Sequence, residues 1–243
     1  MALIQLVVAG IVLGILYLRM IRREVPGPIG RAQAVVPVGL GVVSLVLSMG
    51  FFFAIAAVMG ALGVSLGGLG DVLRSLAGAF FMAGLPEEAA KLLMMLLALR
   101  LFRASIRNVY EVILIGAAVG FGFTLFEEFA YGSDSVLLMV GRLVTVAGHM
   151  AFGMIMAKHL GLARLGRNRG GAYARAILIP IAIHTVFDAL TGTNRLMLSA
   201  DDNTAMIGTL LGLAGTIALF VLQLRVLLRF KKKTAEYCGM TFR

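Results

Sequence analysis

"VVPVGLGVVSLVLSMGFFFAIAAV", residues 35–58, runs without one charged side chain. Wound as a helix at about 1.5 Å per residue, a stretch of this length spans the roughly 30 Å of a bilayer's hydrocarbon core. It lacks the apolar-polar alternation, in segments of about ten residues, that marks a transmembrane β-barrel strand. The uncharged region extends from Ala32 to Gly70. Its glycine-dense end, "GALGVSLGGLGD" at 60–71, reads as a flexible outer loop, because a second crossing there would turn Arg100, Arg103 and Arg107 to the outer side.

Working outward, six further apolar runs lie at about 2–18, 74–99, 109–132, 135–160, 173–192 and 204–228. The whole chain of 243 residues is 60% apolar and only 14% charged. Its mean hydropathy is +0.98, more than a water-soluble domain needs to fill a core. The predicted fold is all-α, a polytopic membrane helical bundle of about seven transmembrane helices. Residues 1–230 form one transmembrane domain with its motifs between about 84 and 190, and 231–243 form a short basic tail.

The formal charge of +10 is a statement about orientation. If the first span ends in the cytoplasm at Arg19, Arg22 and Arg23, the same side collects all of the 22 basic residues but Arg74, Arg195, Lys91 and Arg142. That distribution, in which Arg167 and Arg243 take part, follows the positive-inside rule. It predicts the N-terminus outside, the C-terminus in the cytoplasm and the lipid bilayer as the partner, with no need for nucleic acid. A multi-pass protein of a prokaryotic plasma membrane fits this pattern. The first span lacks a basic n-region and a small-residue cleavage site, so it is expected to be retained. Cys238 is the single cysteine, which excludes an internal disulfide.

Ionisable groups inside spans cost about 2.5–3.5 kcal/mol each at a helix centre. They are confined to four consecutive spans: Glu87, Glu88 and Lys91; Glu127 and Glu128; His149; His184 and Asp188. Glu87 and Lys91 are four apart with the acid first, the favourable order for an ion pair, and Glu88 is three from the same lysine. His184 and Asp188 share a helix face, an arrangement in which a carboxylate fixes an imidazole tautomer. Pro86 predicts that the third span restarts there and puts both glutamates in the first turn of a half-helix. Counting from the span ends sets the cluster in the middle to outer half of the bilayer. Each element has a plainer reading: a neutralised structural pair for Glu87 and Lys91, an interfacial His159, an Arg142 that snorkels, and glycines such as Gly116, Gly120, Gly122 and Gly153 that serve helix packing. The joint occurrence on four helices is what those readings explain poorly. "GVSLG" around Ser65 and "GLGD" at Asp71 echo protease signatures but fall in the outer loop, and no HExxH occurs.

In order, "EEAAK" (Glu87, Glu88, Lys91), "FTLFEE" (Phe123, Glu127, Glu128), "GHMAFGMIMAKHLG" (His149) and "HTVFD" (His184, Asp188) resemble the PrsW family of membrane proteases, relatives of the type II CAAX prenyl endopeptidases and bacteriocin-processing proteins. The family pattern is EExxK, FxxxEN, a histidine in the next helix, then HxxxN or HxxxD. Glu128 departs from it, standing where the family has Asn. The resemblance implies a membrane-embedded endopeptidase acting on a membrane-anchored, anti-sigma-factor-like protein. In that reading Glu87 or Glu88 is the general base, and His149 and His184 polarise the carbonyl or hold water. Asp188 orients His184, Lys91 compensates charge, and Glu127 holds water or a proton. The same groups suit a metal such as zinc, with His149, His184 and Glu127 or Glu87 as ligands. Two other functions remain open on the residues alone: a proton- or cation-coupled transporter, and a non-catalytic scaffold or immunity-type protein. The substrate and oligomeric state do not follow from the sequence.

Overall fold

The computed structural model describes residues 2–25, 27–132, 135–166 and 169–242, so that Arg167 and Arg243 lie outside the described residues. The described residues are mostly helical: α1 (Ala2–Ile21), α2 (Arg31–Ala61), α3 (Asp71–Ala79), a π-turn (Phe80–Gly84), α4 (Leu85–Leu101), α5 (Val109–Ala130), α6 (Val136–Val144), α7 (Gly148–Arg164), α8 (Arg169–Leu190), a 3₁₀ turn (Arg195–Leu198), α9 (Asp202–Lys232) and α10 (Thr234–Gly239). Among the described residues, six stretches are long and apolar enough to cross a membrane: Ala2–Ile21, Arg31–Ala61, Val109–Ala130, Leu138–Arg164, Arg169–Leu198 and Asp202–Lys232.

The expected third span, 74–99, differs from these six. It is built of three pieces, because the backbone widens to a π-turn before Pro86: Leu85 N–H reaches back to the carbonyl of Phe80. Pro86 has no N–H to offer and sits where the new helix starts, and Glu87 and Glu88 occupy that first turn. The expected fifth span is also not continuous. It breaks at residues 145–147, between α6 and α7, and the Val144 carbonyl there accepts from Gln223 Nε2 at 2.6 Å. A buried carbonyl released from a helix needs such a partner.

Helix α5 is the axis of the bundle. Every residue from Val109 to Gly120 is buried, the pattern of a helix hydrophobic all round, and it carries the core residues Val112, Ile115, Ala118 and Val119. Asn108 starts it, accepting from Glu111 N–H at 3.0 Å. Its neighbours come close because side chains are missing at the crossings. A Cβ on Gly116 or Gly153 would land on the other's carbonyl oxygen, one on Gly120 would strike the His149 backbone, and one on Gly122 would strike Val38 in α2. Gly84 does the same for α8, lying against Thr185 and the Ile181 carbonyl. These contacts place α2 and α7 against α5, and the start of α4 against α8.

At the basic end, Arg107 ties the α1–α2 connection to α5 through Glu24 Oε1 at 2.9 Å, the Gly27 carbonyl at 3.2 Å and Glu111. Glu24 is buried there. Burial, together with the Glu111 carboxylate beside it, pushes its pKa up to about 8 against the opposing pull of Arg107. The last residues fold back onto this end. Tyr237 and Cys238 are buried, Met240 and Arg107 carbonyls accept from Val109 and Phe242 N–H, and Arg164 lies 4.2 Å from the Phe242 ring centroid.

The glycine crossings predict a sharp contrast. Gly153→Ala is expected to lower stability by about 1–3 kcal/mol, since the neighbouring backbone cannot retreat. Gly39→Ala, where a Cβ meets nothing within 4 Å, is expected to be neutral or mildly stabilising. Thermal unfolding of the two variants in one detergent decides between them.

Candidate active site

The chemistry-bearing side chains converge because four helices, α4, α5, α7 and α8, bring them to the same side of the bundle. Glu87, Glu88 and Lys91 come from the first turns of α4, and Glu127 and Glu128 from the last turn of α5. His149 opens α7, and His184 and Asp188 lie near the close of α8. The opposite ends of these helices carry Arg100, Arg107, Arg164 and Arg169.

Lys91 is fully buried at the centre. Its Nζ donates to Glu88 Oε1 at 2.8 Å and to Glu87 Oε2 at 3.3 Å, and lies 2.9 Å from His149 Nδ1. It also stands 3.7 Å over the Phe123 ring centroid, which gives that phenylalanine a cation–π role. His149 Nε2 faces Glu127 Oε2 at 2.8 Å. His184 Nδ1 meets Glu88 Oε1 at 2.9 Å, while its Nε2 faces Asp188 Oδ2 at 3.3 Å and Glu87 Oε2 at 3.7 Å. The two imidazoles pack edge to face with centroids 5.1 Å apart, and Phe152 lies against both. The expected Asp188 contact is made at Nε2, a side it shares with Glu87, and Glu88 adds a second carboxylate at Nδ1.

Accessibility sorts these groups into two sets. The side chains of Glu87, Glu127, His149 and Asp188 retain 14–21% exposure, whereas those of Glu88, Lys91, His184 and Glu128 retain 0–4%. The first set faces an approachable space; the second is packed behind it. Glu88 Oε2 is buried with no hydrogen-bond partner among the described residues, and so is Thr185 Oγ1 beside it in sequence with His184.

The donor set suits a divalent cation. One ligand atom each from Glu87, His149 and His184 lie within 4.8 Å of one another. Two imidazoles and a carboxylate are the ligands of an open catalytic zinc site, with room for water. Charge agrees: among the described residues, five carboxylates, Glu87, Glu88, Glu127, Glu128 and Asp188, face only Lys91 and Arg142 as fixed cations. Burial makes that excess costly unless protons or a bound cation offset it. Ligation by His149 requires its ring to exchange the contact with Lys91 or with Glu127.

Two residues join the cluster that the spacing of motifs did not nominate. Arg142 turns inward, its Nη2 2.8 Å from Glu128 Oε1 and 3.4 Å from Glu127 Oε1, rather than snorkelling away. Gln5, the one polar side chain of α1's apolar run, donates to Glu128 Oε2. An arginine and a glutamine within otherwise apolar runs were the available signals. His159, Ser65 and Asp71 stand apart from the cluster: Ser65 caps its own loop by accepting from Gly67 N–H at 3.1 Å, and Asp71 begins α3.

Because Lys91 is the common counter-ion, Lys91→Met is expected to cost about 3–5 kcal/mol, the scale for removing one member of a buried ion pair. Adding Glu88→Gln in the same chain is expected to recover part of it. Equilibrium unfolding of both variants measures the difference.

The sequence profile described as PrsW family intramembrane metalloprotease matches residues 35–223, most of the chain and every residue of this cluster but Gln5. No curated protein sequence and no solved structure matches it.

Proposed function

The chain belongs to the PrsW family of intramembrane metalloproteases, and from that footing we propose that the cluster hydrolyses peptide bonds of a membrane-anchored protein with Glu87 as the group that takes the proton from water. The observation that carries this assignment is the division by accessibility. Of the two adjacent glutamates, Glu87 opens to the approachable space, while Glu88 is buried between Lys91 and His184.

Hydrolysis needs a water deprotonated as it attacks, stabilisation of the oxyanion, and a proton for the departing amine. Glu87 Oε2 is placed to accept the water's proton, with Lys91 and the His184 ring on either side of it. Glu88 accepts a hydrogen bond from His184 Nδ1–H, which turns Nε2 to the reacting centre beside Asp188. Glu127 holds His149 from the other side, so that this ring is fixed to polarise the scissile carbonyl. Asp188, half of the pair at Nε2, holds water or relays the proton toward the leaving group. One oxygen of Glu87 would join His149 and His184 in holding a metal, zinc on chemical grounds, leaving its other oxygen as the proton acceptor, and a metal there would supply an activated water and Lewis-acid polarisation of the carbonyl.

The setting supports a substrate held in the bilayer, and the family resemblance supplies its type. A site lined by helices that are themselves apolar on their outer faces is reached from the bilayer, so a single-span protein fits, of the anti-sigma-factor type. Taking the orientation that the positive-inside rule favours, with the basic helix ends in the cytoplasm, the cluster opens toward the outer half of the membrane.

In proteoliposomes carrying a single-span peptide probe, Glu87→Gln is expected to lower kcat by about 10²–10⁴-fold, the usual worth of a general base. His149→Ala and His184→Ala are expected to fall as far. Cleavage that persists unchanged in well-folded Glu87→Gln, or flux of a solute without cleavage, contradicts the assignment. A chelator is expected to abolish cleavage and added zinc to restore it; full activity in metal-depleted protein removes the metal from the account.

A further inference from the structure

Arg142 belongs to none of the four motifs, yet it is the end of a polar chain that reaches the reacting groups. It lies on α6, the short helix separated from α7 by the break at 145–147. That break matters, because a continuous helix would fix Arg142 and His149 in one stack. With α6 set apart, the guanidinium reaches across to the last turn of α5.

There it makes a two-pronged contact with Glu128, Nη2 to Oε1 at 2.8 Å and Nε to Oε2 at 3.3 Å. The same Nη2 is 3.4 Å from Glu127 Oε1. Glu127 turns its other oxygen, Oε2, to His149 Nε2 at 2.8 Å. Gln5 from α1 completes the support by donating to Glu128 Oε2. A carboxylate held by one oxygen offers the other in a fixed direction, and a planar guanidinium clamped by a buried acid is itself fixed.

We propose that Arg142 is a positioning residue for the proposed hydrolysis: it anchors Glu127 Oε1 so that Oε2 orients His149, and Glu128 with Gln5 serves to hold Arg142 in place. The inference rests on the peptidase reading for its consequence on rate, but the orientation of His149 is measurable without any substrate. The pairing also gives Glu128 a reason to be charged. An amide there would accept one hydrogen bond from the guanidinium without balancing its charge.

The test uses the full chain in lipid nanodiscs. Arg142→Met alone leaves the buried Glu128 carboxylate without its cation and risks the fold, so the decisive variant is Glu128→Gln with Arg142→Met, which removes both charges together. The protein has three histidines, His149, His159 and His184, so ring nitrogens labelled with ¹⁵N report each one separately. In the double variant the His149 ring signals are expected to move while those of His159 and His184 stay. With an internally quenched single-span peptide as probe, kcat is expected to fall about 10- to 100-fold, the scale for a small misplacement of a catalytic group, while KM is little changed. Arg142→Lys, which keeps a cation within reach of Glu127, is expected to recover much of kcat. Unmoved His149 signals, or an unchanged kcat, in the folded double variant overturns the proposal. Failure of the peptidase reading shows itself separately, as Glu87→Gln protein that cleaves the probe like wild type.

Discussion

The buried ammonium of Lys91 is the interaction on which the arrangement depends. A lysine with no exposure inside an apolar bundle is tolerable only when carboxylates surround it. Glu87 and Glu88 supply them from its own helix, at 3.3 and 2.8 Å. The same charge reaches His149 on α7 and the Phe123 face on α5, so one side chain sets the mutual position of three helices. His184 is then fixed through Glu88, and α8 joins. The groups facing the accessible space are those left over once Lys91 has been satisfied: one oxygen of Glu87, His149 with Glu127, and Asp188.

The backbone is shaped to make this convergence possible. The π-turn at Phe80–Gly84, closed by Leu85 N–H on the Phe80 carbonyl, leads into the helix that Pro86 begins, and the absence of a side chain at Gly84 brings that turn against α8 at Thr185. Glycines on α5 and α7 bring His149 within reach of the α5 acids. The break after α6 frees Arg142 to turn toward the same acids. Polar chemistry in the bilayer is thus assembled from helix ends and irregular turns, where backbone groups can find partners inside the protein.

Much of this was legible in the sequence, and for physical reasons. Long uncharged runs such as 35–58 have few alternatives to membrane helices, and ionisable residues there are costly enough that their confinement to four runs marks a cluster. The 87/91 and 184/188 spacings gave faces, because residues four apart on a helix are neighbours. What stayed hidden depends on contacts between distant segments. The π-turn and the α6–α7 break leave the apolar pattern intact, so hydropathy cannot show them. Arg142 was visible as a charge two turns from His149, but its inward turn is decided by Glu128 on another helix. The relation of the two glutamates was also not resolvable from spacing, since Glu88 is bound to His184, which lies 96 residues away. The expectation that Asp188 orients His184 came from their proximity in sequence; Asp188 does lie at Nε2, and spacing could not show the further tertiary contact of Glu88 at Nδ1.

The central claim is that these four helices form a site where Glu87 activates water against a peptide carbonyl. Cleavage of a single-span peptide in H₂¹⁸O tests it most directly. The account predicts that wild-type protein places ¹⁸O in the newly formed carboxyl terminus in a single turnover and that Glu87→Gln protein does not. A product whose new terminus lacks ¹⁸O, or equal incorporation by the Glu87→Gln protein, contradicts it.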